Sequence, residues 1–207
     1  MVYKNIVPKI VKLNIFVFLL WNIYGFINLH FMTNNFLVSW SAINEGRFWT
    51  LLTSVFSHNF LLHILLNMFV FYNFGVIIER VLGSKRFLKF YLLAGIAGSL
   101  VHCFVSEFIM HQPNISALGA SGAVSGVVLL FALLFPFEKV FLFGLIPIPA
   151  IWAALMFTGL DLWGLINQTK GSSIAIGFGA HLGGALAAFI YFIGIRRPHR
   201  STRHLRI

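Results

Sequence analysis

The chain has 207 residues, of which 59% are hydrophobic and only 10% charged, and its mean hydropathy is +0.89. A soluble domain carries roughly 25% charged residues, so this composition excludes one and indicates a chain dissolved in a lipid bilayer. The formal charge of +10 at pH 7 raises nucleic acid as a partner, but basic residues beside apolar spans serve anionic lipid, and no nucleic acid is expected.

Crossing a ~30 Å hydrocarbon core takes about 20 apolar residues. Such segments read at Leu13–Phe31, Phe60–Ile78, Phe87–Phe108, Ala117–Phe135, Val140–Ile166 and Ile174–Ile195. The expected fold class is therefore all-α, a polytopic bundle of six transmembrane helices. One domain over 1–207 is expected, including a short N-terminal segment 1–12 and a basic C-terminal tail 196–207.

The first span follows Lys4, Lys9 and Lys12 like a signal peptide's basic start, but its apolar core is too long and lacks a small-residue cleavage site. It is expected to stay as an anchor. Cys103 is the single cysteine, so no intrachain disulfide forms and its role is packing.

Lys4, Lys9 and Lys12, then Arg80, Lys85, Arg86 and Lys89, then Lys139, then Arg196, Arg197, Arg200, Arg203 and Arg206 all fall on one side; only Arg47 and Lys170 fall on the other. The positive-inside rule puts both termini in the cytoplasm. Spans two, four and six then enter from the outer face.

That topology gives four polar residues a common depth. His63 and Asn67 lie one and two turns into span two, Ser121 opens span four, and His181 follows about two turns of span six, all about 6–13 Å from the outer end. Polar groups in hydrocarbon cost free energy unless partnered, which makes them functional candidates.

A hydroxyl and an imidazole are the types that form a nucleophile and its base. His63 and Asn67, four residues apart, share a helical face and can aim donors at one centre. Backbone N–H groups around Ser121, at a helix start, add donors and the positive end of the helix dipole. Gly122 and Gly126 on span four, with Gly179, Gly183 and Gly184 on span six, permit close backbone packing beside Ser121 and His181.

These residues resemble the rhomboid family of intramembrane serine proteases. The likeness covers about Gly46–Ile195: His63-x-x-x-Asn67, Glu79-Arg80, Gly119-x-Ser121-Gly122 and Ala180-His181-x-x-Gly184, in that order. The resemblance implies Ser121 as nucleophile and His181 as general base and acid, a dyad with no third acid. His63, Asn67 and the Ser121 backbone N–H would form the oxyanion site.

The resemblance further implies a long first loop at Thr33–Ser57, with Trp40, Phe48 and Trp49 in the outer leaflet, and a lateral gate at span five carrying Phe157, Leu160 and Trp163. Small residues before the scissile bond are expected of the family. The sequence departs from the family pattern at Arg47-Phe48-Trp49, at Ala188, and at Ser125, where the family often places an aromatic against the catalytic histidine. Something else must then orient His181.

Taken singly, Ser121 and Ser125 also read as packing residues back-bonded to their own helix, and His181 as a structural histidine or part of a proton path. His58 is expected to brace the first loop and Glu79 with Arg80 to end span two; Asp161 could complete a triad, but near the outer end of span five it is expected to face water or cap a loop. His102 and His111 carry no motif.

No His-Glu-x-x-His occurs, the spacing of His58 and His63 does not put two ligands on one helical face, and no phosphate-binding glycine loop is present. No metal and no cofactor are expected. The expected reaction is hydrolysis of single-span membrane proteins near the outer boundary, with water reaching Ser121 through an outward-open cavity and the substrate helix unwinding locally.

Two rivals remain: an inactive rhomboid-like protein that binds membrane clients, and a small transporter using His63, Asn67 and His181 as a polar path. Against the second, no internal repeat is visible. With no appended domain or transit segment visible, a bacterial plasma membrane is the expected location.

Overall fold

The computed structural model describes residues 5–142, 144–171 and 176–196, with side chains up to residue 195. In chain order it has helices α1 (Val7–Ile23), α2 (Leu29–Phe36), α3 (Trp40–Asn44), α4 (Thr50–Thr53), α5 (Leu61–Leu82), α6 (Ser84–Phe104) and α7 (Ser121–Leu134). A hairpin of β1 (Lys139–Leu142) and β2 (Ile146–Pro149) follows, then α8 (Ala150–Thr169) and α9 (Phe178–Arg196). Lys4 and the tail from Arg197 onward lie outside the described residues.

Four helical stretches are long and apolar enough to cross a membrane: Leu61–Leu82, Ser84–Ile109, Ala150–Thr169 and Phe178–Ile195. The second combines α6 with a π-helical turn, Val105–Ile109. The remaining two expected spans are shorter helices, α1 with 17 residues and α7 with 14. All six predicted segments carry a helix, but several boundaries move.

The first helix starts at Val7, six residues before its predicted start, because Pro8 supplies a dihedral suited to a first turn. It also ends earlier, at Ile23. The fourth starts at Ser121, not at Ala117, since Gly119 sits at φ +122°, which no helical residue adopts.

The predicted fifth span began at Val140, where the structure has a hairpin. Lys139, Val140, Phe141 and Leu142 pair antiparallel with Pro149, Ile148, Pro147 and Ile146, and Gly144 turns at φ +73°. Apolar content cannot separate a strand from a helix, whereas Pro147 and Pro149 forbid a helix interior.

Helices α6, α7 and α9 form the core of the bundle along a glycine seam. A Cβ built on Gly184 would fall 1.8 Å from the Gly122 carbonyl oxygen, one on Gly126 2.8 Å from the Gly184 oxygen, and one on Gly98 2.7 Å from the Ala180 oxygen. No side chain fits there, so the backbones meet directly. The predicted packing role is thereby observed for Gly122, Gly126 and Gly184; Gly183 meets α6 instead, where its Cβ would fall 2.7 Å from the Ala97 oxygen, and Gly179 is only in ordinary contact with His102.

At the opposite end, Glu79 closes the bundle. Its carboxylate accepts the backbone N–H groups of Ile6 (2.7 Å) and Val7 (3.0 Å) and the Ser84 hydroxyl. The predicted end-of-helix role of Glu79 therefore extends to capping α1 from 72 residues away.

Overpacking a core costs typically 1–3 kcal/mol, and backbone-to-backbone contact leaves no route for relief. Gly184→Ala is expected to lower the thermal unfolding midpoint in detergent by several degrees or to abolish folded protein. Gly194→Ala, where nothing lies within 4 Å of the new carbon, is expected to leave it unchanged.

Candidate active site

At 1.5 Å per residue, the 14 residues of α7 cover about 21 Å, roughly 9 Å less than a ~30 Å core. A helix of that length with Leu134 at one boundary would leave Ser121, at its other end, below the opposite surface. A short helix is how a serine reaches membrane depth without leaving a helix start.

Ala120 precedes the helix and offers no side-chain cap. The first N–H groups of α7, that of Ser121 among them, have no intrahelical acceptor. A cavity of about 710 Å³ opens there, lined by His63, Asn67, Gly119, Ser121, Gly122 and His181 among others. All four predicted side chains therefore border one space.

The seam explains why Ser121 and His181 are neighbours. A Cβ on Gly122 would sit 3.0 Å from the Ala180 carbonyl oxygen, so the residue after the serine touches the residue before the histidine. Both side chains project from backbones already in contact.

His63 reaches Ser121 by another glycine. A Cβ on Gly119 would meet the His63 ring at 2.7–2.9 Å and the Ser121 Oγ at 3.8 Å; the missing side chain makes room for the imidazole beside the hydroxyl. One turn on, Asn67 Nδ2 donates to the His63 carbonyl oxygen at 2.9 Å. That bond uses one of the two amide hydrogens and leaves the other for the cavity.

His181 Nδ1 lies 2.8 Å from Asp161 Oδ1. Helix α8 brings Asp161 to α9, and the two side chains are 18% and 19% exposed. This corrects the expectation that Asp161 faces water or caps a loop. A signal for it was present: Asp161 is the one charged residue in the sequence of α8, and a carboxylate in an apolar helix needs a partner.

The approach to Ser121 is held by the first loop. Val38 and Ala117 exchange backbone hydrogen bonds of 3.0 and 2.8 Å, and Gly119 N–H donates to the Ser54 carbonyl oxygen at 2.9 Å. Ala120 N–H donates to His58 Nε2 at 3.4 Å. His58 thus braces the chain just before the serine, a role more specific than the general loop brace expected of it.

To accept from Ala120, His58 Nε2 must carry no proton. Burial drives its pKa from 6.5 to about 3, with the neighbouring His63 acting in the same direction and a backbone contact at Phe56 opposing them. The ring is fully buried and stacks edge-on to His63 with centroids 4.8 Å apart. Among the described residues no cluster of potential metal ligands occurs.

A family model described as the Rhomboid domain matches residues 45–198. This chain belongs to the rhomboid family. RHOMBOID-like protein 12, mitochondrial, of Arabidopsis thaliana is 35% identical over 206 residues, covering 94% of this chain and 59% of that protein. Rhomboid protein 1, mitochondrial, of Saccharomyces cerevisiae is 29% identical over 217 residues, covering 99% and 57%. Rhomboid protease GluP of Bacillus subtilis is 41% identical over 86 residues, covering 42% and 16%.

The chain thus spans less than two thirds of the length of these relatives. Family and helices together make it a multi-pass membrane protein. The mitochondrial names of the first two relatives run against the expected bacterial plasma membrane. That no transit segment is visible, on which the expectation rested, does not say which bilayer holds the chain.

The His58 shift has a sign. Between pH 6.5 and about 3 the unfolded chain binds the proton and the folded one does not, so stability is full above pH 6.5 and falls as pH descends through that window, by an order of a few kcal/mol. Detergent melting curves from pH 7 to 4 are expected to show this loss, and His58→Gln to flatten it while lowering the midpoint at pH 7.

Proposed function

We propose that this rhomboid is an intramembrane serine endopeptidase that cleaves single-span membrane proteins near one membrane boundary. The observation that carries the reading is Ser121 at the uncapped start of a short helix, bordering the same cavity as His181. A nucleophile beside a base, with unpaired donors at a helix start, meets the requirements of acyl transfer.

In this reading Ser121 Oγ attacks the substrate carbonyl carbon while its proton passes to His181 Nε2, the ring nitrogen left free by the Nδ1 contact. The Ser121 N–H, the Asn67 amide and His63 stabilise the oxyanion. His181 returns the proton to the leaving amine, and the C–N bond breaks. Water then adds to the acyl-enzyme with His181 as base, which releases the carboxylate and restores Ser121.

Substrate access is assigned to the α8 side. Only 22% of its apolar window is buried, against 33–44% for the other three long spans, and Phe157, Leu160 and Trp163 are 48–63% exposed. Both chain ends are assigned to the side carrying most of the Lys and Arg. An inactive client-binding relative, the alternative, has no need of a serine and a histidine together at this seam, and both are present.

The test is labelling by a fluorophosphonate and cleavage of a model transmembrane substrate. Ser121→Ala and His181→Ala are expected to lose both, and Ser125→Ala to keep both. Labelling that survives Ser121→Ala would overturn the assignment. Asn67→Ala is expected to lower kcat by about 10²-fold, as loss of one oxyanion donor does.

A further inference from the structure

We infer that Asp161 is a positioning residue for His181, which turns the expected dyad into a Ser121–His181–Asp161 relay drawn from α7, α9 and α8. The inference rests on the protease reading and deepens it. Its foundation is the 2.8 Å contact between His181 Nδ1 and Asp161 Oδ1.

Three further observations bear on it. Asp161 is the only charged residue in the 20-residue sequence of α8, and such a residue is costly in an apolar helix without a partner. The one ion pair it makes among the described residues is to His181, not to a lysine or arginine. The His181 ring makes no other side-chain hydrogen bond among the described residues.

The chemistry follows from the two ring nitrogens. A neutral imidazole carries its proton on one of them, and only the form with N–H at Nδ1 leaves an Nε2 lone pair for the Ser121 proton. A carboxylate at Nδ1 selects that form and fixes the ring plane. Once Nε2 has taken the serine proton, the same carboxylate offsets the positive charge while the Nδ1 proton stays where it is.

A simple clip between α8 and α9 would use the same contact, and kinetics separate the two roles. Full-length protein in proteoliposomes should be compared with Asp161→Asn and Asp161→Glu, measuring kcat, KM, fluorophosphonate labelling rate and the thermal midpoint. Asp161→Asn is expected to lower kcat and labelling at least about 10²-fold with KM within about twofold and the midpoint within a few degrees. Asp161→Glu is expected to recover at least about tenfold of that loss.

A kcat for Asp161→Asn within about threefold of wild type would overturn the relay, as would equal losses in the two variants. A loss confined to KM would also overturn it. If a variant folds poorly, labelling per folded molecule after size exclusion separates the two roles in the same way. A wild type that neither labels nor cleaves would instead remove the protease reading itself, so the two failures are distinguishable.

Discussion

Direct backbone contact between α7 and α9 is the constraint on which the site depends. At Gly126 and Gly184 even a methyl group would collide with a carbonyl, so the two helices have one available separation. Lipid tails are as apolar as leucine side chains, and a membrane bundle cannot rely on excluding water to draw helices together. Close van der Waals contact along a strip of small residues supplies that attraction, and it brings positions 121 and 181 to neighbouring backbones.

A second layer of order comes from outside the bundle. The segment that delivers the chain to Ser121 is extended and irregular, and irregular backbone within a membrane protein must find partners in the protein. Val38, Ser54 and His58 provide them. The first loop therefore belongs to the frame of the site, and the aromatic contact of Trp40 with Phe108 at 5.0 Å pins it to the π-helical turn that follows α6.

Much of this was legible in the sequence. Ser121, His181, His63 and Asn67 stand out because polar residues in apolar segments are few, and helical spacing with a shared depth suffices to group them. The glycines were equally visible. Asp161 was harder to read because its partner lies 20 residues away on another helix, and no periodicity reports which face of α8 meets α9.

The hairpin escaped for a different reason. Hydropathy over 140–149 matches that of a span, and only the two prolines distinguish them. The His58–Ala120 bond joins residues 62 apart through irregular chain on both sides, which no local pattern encodes.

Glu79 has a consequence for biosynthesis. The N–H groups at the start of α1 find their acceptor on α5, a helix that leaves the ribosome some 70 residues later. Helix α1 must wait with an unfinished start until α5 is made, so assembly of this bundle cannot run strictly in chain order.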